Sequence, residues 1–371
     1  MKIVWDGRVL CGSEIRGMGN YATNLFHALR TARPELEILP FTDIQGSSAT
    51  TNGHVPAHVV GPTRGYRWHV WEQLVLPMHA YRVKADLLHS PANTCPSWSP
   101  MPRVVTVHDV IPYLPDVSGE TLHGRYWRRT VPDAVRRAHA ILTDSEASRQ
   151  DIARTFDVAP SRITVAPLAV GADVVVPEDR GVSVMRGLGI RQPFVLALAA
   201  TAPRKNTLGV LRVFKHLASQ NDDVALVLTG VGSKFRSHLE AALLELEIPA
   251  VRVHLLDFVD SRVRNALYAQ ASVFAFLSLY EGFGLPILEA MRCGAPVLCS
   301  NRSSCPEVAG DAAVVVDPDD EAAAVSALSD MLSWGGQERE RWQARGHARE
   351  REFTWARCAQ TTLEVYDRVM Q

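Results

Sequence analysis

Residues 273–300 read VFAFLSLYEGFGLPILEAMRCGAPVLCS, and this stretch decides the fold class. A short apolar run (VFAFLS, 273–278) leads through a glycine turn into a segment opened by Pro286, and a second strand-like run (PVLCS, 296–300) follows. Buried parallel strands read as continuous apolar runs, and strand, helix, strand in succession is the βαβ unit of a parallel sheet. Pro286 suits a first helical turn, where its missing N–H would have had no partner. Gly282 and Gly284 permit a tight turn and a close approach of backbone to a ligand.

Outward from this segment the same alternation recurs. Upstream runs FVLALAA (194–200), VALVLTG (224–230) and VRVHLLDF (251–258) complete one series of strands. An earlier series comprises KIVW (2–5), EILPF (37–41), DLLHS (86–90), RVVTV (103–107) and AILTD (140–144). Between the two, residues 160–192 hold Pro160, Pro167, Pro177 and several glycines without sustained helical period, which places the domain junction there. The expected architecture is α/β, with two Rossmann-like doubly wound domains facing a central cleft, where open α/β sheets bind ligands. The expected domains are 1–172, 173–350 and a C-terminal helix, 351–371, for which packing on either domain is open, the first among them.

Composition bounds the function. The 371 residues carry 39 Lys plus Arg against 40 Asp plus Glu, a net charge of −1, so no global attraction to nucleic acid is expected. The six cysteines form no C-x-x-C pair and lack histidines at zinc spacing, and they read as small apolar fillers in a reducing compartment. The start MKIVWDGRVL is broken by Asp6 and Arg8 and is not expected to act as an export leader. The apolar runs fall short of the roughly 20 residues that a membrane-crossing helix needs.

At the decisive turn, the backbone amides of Phe283, Gly284 and Leu285 stand at a helix N-terminus, a ready site for a phosphate. Glu281 and Glu289 flank it, eight positions apart. A carboxylate repels a phosphate, so these two suit hydroxyls on either side of it, and sugars supply hydroxyls.

The E-x7-E segment EGFGLPILE and its continuation to residue 320 resemble the donor-binding region of glycosyltransferase family 4, retaining enzymes of the GT-B fold. TAPRKN (201–206), VTVHDVIP (105–112), TDSEASRQDI (143–152) and RGMGNY (16–21) stand in the order and separation of that family. The resemblance implies that Glu281 contacts donor sugar hydroxyls and Glu289 the ribose, while Arg204 and Lys205 neutralise the leaving diphosphate. It further implies that Phe258 and Val259 meet the nucleobase, that His108 stands near the transferred sugar, and that Gly17 and Gly19 form a first-domain loop facing the cleft. Ala200 stands where the family often has glycine. The implied catalytic set is Glu281, His108, Arg204 and Lys205. His89 reads as structural and Ser145 as a helix N-cap.

The implied reaction moves a hexose, mannose favoured, from a nucleoside-diphosphate sugar to a glycan or lipid-linked glycan acceptor. GDP-mannose is the favoured donor, with a UDP-sugar as the alternative, and neither cofactor nor metal is required. Arg125, Arg128, Arg129, Arg136 and Arg137, with Tyr126 and Trp127 among them, suit peripheral contact with an anionic membrane. The expected location is therefore the cytoplasm, at the inner face of the cytoplasmic membrane. Two rivals stand beside this reading: a catalytically inactive nucleotide-sugar or glycan-binding protein on the same fold, and a nicotinamide-dependent oxidoreductase. The second rests on the G-x-G-x-x-A spacing of Gly17, Gly19 and Ala22, which lies too far beyond KIVW for the cofactor turn.

Overall fold

The computed structural model of the chain describes residues 1–11, 17–43, 55–61, 68–114 and 122–371. They divide into two units. One comprises the described residues of 1–168 together with Thr354–Gln371, and the other runs from Ala169 to Phe353.

In the first unit the elements are β1 (Lys2–Asp6), α1 (Met18–Ala32), β2 (Glu37–Thr42), β3 (His58–Val59), α2 (Trp68–Val70), α3 (Leu76–Arg82), β4 (Leu87–Ser90), β5 (Arg103–Thr106), α4 (Leu122–Arg137), β6 (Ala140–Thr143), α5 (Glu146–Phe156) and β7 (Ile163–Val165). A π-helical turn, Trp71–Val75, joins α2 to α3. The strands form one sheet in the order β3-β2-β1-β4-β5-β6-β7, every pair parallel. Every residue of β4, β5 and β6 is buried, as strands covered on both faces must be. The final helix, Trp355–Met370, belongs to this unit. It packs against α1 and drives Cys358, Leu363, Val365 and Tyr366 into a core built by Ile3, Trp5, Leu25 and Leu87.

The second unit runs α6 (Val182–Leu188), β8 (Phe194–Leu198), α7 (Thr207–Gln220), β9 (Ala225–Thr229), α8 (Ser233–Glu245), β10 (Val253–Leu256), α9 (Ser261–Gln270), β11 (Val273–Phe276), α10 (Leu285–Cys293), β12 (Val297–Ser300), α11 (Cys305–Ala309), β13 (Val314–Val316), α12 (Glu321–Ser333) and α13 (Gly336–Glu350). Its six parallel strands lie in the order β10-β9-β8-β11-β12-β13. Chain order therefore reverses between β8 and β11 here, as it does between β1 and β4 in the first unit. A doubly wound sheet opens its ligand crevice at the carboxyl ends of the strands beside such a reversal.

Both sheets contain strands that composition does not reveal. β7 and β13 are only three residues long, below the length at which an apolar run separates from its surroundings. β7 lies in the proline-rich stretch read as the junction, and so does α6, a short helix between Gly181 and Gly189, both in the left-handed region.

Candidate active site

In the second unit the loops after β8 and β11 meet at the reversal. After β8 the chain turns through Pro203–Lys205 and enters α7 at Asn206, whose φ of 53° lies in the left-handed region that asparagine tolerates. Asn206 Nδ2 donates to the Leu277 carbonyl at 3.1 Å, and the Leu279 amide donates to the Arg204 carbonyl at 2.7 Å. These two bonds stitch the loops together and bring three charges into contact. Arg204 Nη1 lies 3.0 Å from Glu281 Oε2, and Lys205 Nζ lies 2.6 Å from Glu281 Oε1. The ammonium also stands 5.2 Å from the centre of the Phe276 ring. Glu281 is buried, as an ion paired on both oxygens can be.

The turn beyond Glu281 is fixed from behind. Ser303 Oγ donates to the Glu281 carbonyl at 2.5 Å and Ser304 Oγ to the Phe283 carbonyl at 2.6 Å. Gly284, at φ 102°, is the N-cap of α10 and supplies no side-chain cap, and Pro286 lies in the first turn. The Phe283 side chain is buried against Phe353, ring centres 5.8 Å apart, so only its backbone serves the turn.

Glu289 projects from α10 into a different setting. It accepts from Tyr268 Oη at 3.2 Å and has Arg264 Nη1 at 4.0 Å, while Arg264 Nη2 is anchored on Asp173 at 2.9 Å. Burial pushes the Glu289 carboxyl above its ordinary value, and Arg264 and Tyr268 oppose that shift without cancelling it. Sequence reasoning did not find Arg264 or Tyr268. Their signal is the i, i+4 pairing of an arginine and a tyrosine on α9.

Phe258 and Val259 follow β10, two strands along the sheet from β8. The exposed Phe258 ring covers the turn after β9, where Gly230 (φ 86°) and Gly232 (φ 62°) adopt backbone that a side chain resists. A Cβ on either glycine would stand within 4 Å of that ring.

In the first unit His108 follows β5 and is buried. Its Nδ1 lies 2.7 Å from Asp144 Oδ2 and its Nε2 3.0 Å from the Pro91 carbonyl. Both partners only accept, so the ring is best satisfied as an imidazolium donating from each nitrogen. Burial alone would lower the His108 pKa, but Asp144 and the Pro91 carbonyl outweigh it and the net shift is upward. The Tyr21 ring meets the imidazole edge-on at 4.8 Å. Asp144, quoted within TDSEASRQDI but assigned no role by sequence, is the residue that holds this proton. His89, by contrast, is pushed down to about 3 by burial, and it bonds Tyr366 Oη at 2.6 Å and Thr106 Oγ1 at 2.9 Å. Ser145 caps α5 through the Ser148 amide at 3.0 Å.

The glycine-loop expectation needs correction at one position. Gly17, at φ 45°, is the N-cap of α1, whereas Gly19 lies buried in that helix's first turn and is not part of a loop. Arg16 lies outside the described residues, as does the Arg125 side chain. The other arginines of that run remain on α4, but the Tyr126 hydroxyl is engaged. Tyr126 Oη donates to Glu72 Oε2 at 2.7 Å, and the Trp127 carbonyl accepts from Tyr113 Oη at 2.8 Å.

Comparison with known proteins divides the chain in the same two halves. Residues 15–174 match the family model described as Glycosyltransferase Family 4, and residues 186–349 match Glycosyl transferases group 1. O-antigen chain mannosyltransferase B of Escherichia coli is 33% identical over 283 residues, covering 74% of this chain and 67% of that protein. Serotype-specific mannosyltransferase WbdA of Escherichia coli is 29% identical over 282 residues, 73% of this chain but only 34% of WbdA. Among solved structures, Anabaena Alr3699/HepE in complex with UDP and glucose superposes with a TM-score of 0.76 at 17% identity, covering 99% of both chains. That likeness establishes a shared fold.

Proposed function

We propose, from the premise that this chain belongs to glycosyltransferase family 4, that it is a retaining enzyme of the GT-B fold. It transfers a hexose from a nucleoside-diphosphate sugar to a glycan or lipid-linked glycan. Mannose is the favoured sugar and GDP-mannose the favoured donor. One observation carries the reading: Glu281 is gripped by Arg204 and Lys205 beside the start of α10, at the reversal between β8 and β11.

In this reading Arg204, Lys205 and the amides of Phe283, Gly284 and Leu285 receive the diphosphate. Glu281 accepts hydrogen bonds from hydroxyls of the transferred sugar. Glu289 holds the ribose, with Tyr268 and Arg264 orienting its carboxylate, while Phe258 and Val259 border the base. Gly17 and the α1 start, with His108 held by Asp144, serve the sugar from the first unit.

The bond from the anomeric carbon to phosphate oxygen breaks as the bond to the acceptor oxygen forms on the same face. The acceptor's proton passes to the departing phosphate oxygen. Negative charge grows on the diphosphate through an oxocarbenium-like transition state, so fixed cations and amides lower the barrier there. The proposed setting is the inner face of the cytoplasmic membrane.

A thermal-unfolding panel of nucleotides and nucleotide-sugars tests the donor. A ligand at 100 times its Kd stabilises the native state by about 2.7 kcal/mol. GDP and GDP-mannose are expected to raise the unfolding temperature more than UDP and its sugars. A larger rise with UDP-sugars overturns the choice of donor, and no rise with any nucleotide-sugar overturns the function.

A further inference from the structure

A buried chain of hydrogen bonds in the first unit runs from the final helix to the side of His108, and filling the core does not require it. Tyr366 Oη bonds His89 Nδ1 at 2.6 Å, His89 Nε2 bonds Thr106 Oγ1 at 2.9 Å, and Thr106 Oγ1 bonds Tyr21 Oη at 3.0 Å. Tyr366, His89, Thr106 and Tyr21 are all buried. The Tyr21 ring then stands nearly perpendicular to the His108 imidazole, 4.8 Å from it. His89 carries no charge, because burial and the neighbouring His108 hold its pKa at about 3. A neutral imidazole donates from one nitrogen and accepts at the other, so the chain passes through it unbroken.

Phenylalanine at positions 21 and 366 would fill the same space, and a buried hydroxyl repays its desolvation only by bonding. What a fully satisfied buried network adds is one fixed arrangement. The arrangement fixed here is that of Tyr21. This residue lies one turn into α1, where its amide donates to the Gly17 carbonyl at 3.0 Å. It therefore joins the start of α1 to His108. Asp144 and the Pro91 carbonyl hold the nitrogens of the imidazole, while Asn93 Oδ1 holds the His108 amide at 2.8 Å and Ser148 Oγ its carbonyl at 2.9 Å. Tyr21 adds the contact from α1. The final helix reaches Tyr21 directly as well, with the Trp355 ring 6.3 Å from it.

We propose that Tyr21 positions His108 for sugar transfer, and that the final helix sets the place of Tyr21 through His89 and Thr106. The inference rests on the proposed function for one point, that His108 and the start of α1 serve the transferred sugar. Tyr366 then governs the site without touching the sugar, because its hydroxyl anchors the far end of the chain whose near end flanks the imidazole.

Steady-state release of GDP from GDP-mannose, with water or methyl α-mannoside as acceptor, tests it together with magnetic resonance spectra of the His108 ring. Tyr21→Phe and Tyr366→Phe each keep the ring and remove the hydroxyl. Each is expected to lower kcat by about tenfold while KM for GDP-mannose moves by less than about twofold, the split of an interaction made only in the transition state. The double variant should lose no more than the worse single one, since both hydroxyls act through one chain. The His108 ring protons should shift in Tyr366→Phe as well as in Tyr21→Phe. Thr106→Val, which cuts the chain in its middle, should behave like the phenylalanine variants, and Thr106→Ser, which keeps the hydroxyl, should restore the wild-type rate and spectrum. Cooperative unfolding, read on every variant, reports the fold separately. Phenylalanine variants that fold, turn over at the wild-type rate and leave the His108 signals in place overturn the proposal, as does a Thr106→Ser variant no better than Thr106→Val. A wild type that turns over neither GDP-mannose nor a UDP-sugar counts against the proposed function instead, and the His108 spectra then decide whether Tyr366 sets the place of Tyr21.

Discussion

Glu281→Gln keeps the shape of the side chain and removes a charge that two cations now share. Arg204 and Lys205 are 21% and 18% exposed as side chains, and each donates to the carboxylate, at 3.0 and 2.6 Å. A charge-assisted hydrogen bond contributes about 1.5–3 kcal/mol. An incoming diphosphate must draw both cations away from Glu281, so the wild-type carboxylate competes with the ligand for them. Relief of even one such bond is worth about tenfold in affinity or more. Transfer moves the opposite way, because a group positioned on the reacting sugar is lost. Comparable deletions cost about 2.7–4 kcal/mol, or about 100- to 1000-fold in rate. Calorimetric titration with GDP and UDP reads the first effect, and steady-state transfer reads the second. Tighter nucleoside-diphosphate binding with crippled transfer is the expected result. A glutamine variant that binds diphosphate more weakly than wild type and transfers at the normal rate refutes the reasoning, since Glu281 would then serve only to hold the two cations in place.

Two further outcomes follow from the geometry. The folded-state pKa of His108 is raised above its ordinary 6.5, so the stability it contributes is complete below that value and is lost as pH rises through the folded value. Thermal unfolding of wild type and Asp144→Asn from about pH 5 to about pH 9 should therefore show the largest wild-type advantage at the acidic end, and an advantage that grows with pH contradicts the pairing. Gly284→Ala places a side chain at φ 102°, with its Cβ 3.4 Å from Ile287 Cδ1, and should destabilise by about 1–3 kcal/mol. Urea unfolding checks this, and an unchanged midpoint means that the turn does not need its glycine.

Much of this molecule is legible in the chain because parallel strands buried on both faces leave unbroken apolar runs. FVLALAA, VALVLTG and VFAFLS fall on β8, β9 and β11. Glu281 was marked by the glycine turn that follows such a run, whereas Arg204 and Lys205 were singled out through the family resemblance, their place after a strand adding to it. What escaped was whatever depends on a neighbour distant in sequence. Asp144 is 36 residues from His108, and Tyr268 is 21 from Glu289; the i, i+4 spacing on α9 pairs Tyr268 with Arg264, but nothing local ties Tyr268 to Glu289 or Asp144 to His108. The exposed side of the helix from α2 to α3 escaped for a different reason. Val70, Leu74, Met78 and Tyr81 have the spacing of a core-facing side, and only the burial of Trp71, Leu76 and Ala80 shows that the core lies opposite. Gly19 was misplaced because a glycine motif does not show where the loop ends and the helix begins.

The final helix ties the first unit to a stretch of chain synthesised only after the whole of the second. Tyr366 completes a core begun by Ile3 and Trp5, and its hydroxyl bonds His89, so the first unit stays unfinished until residues 354–371 emerge. The second unit lies wholly upstream of them and can close earlier during synthesis. A nonsense mutation or proteolytic nick near residue 354 would thus spare the later-encoded sheet and unravel the one encoded first.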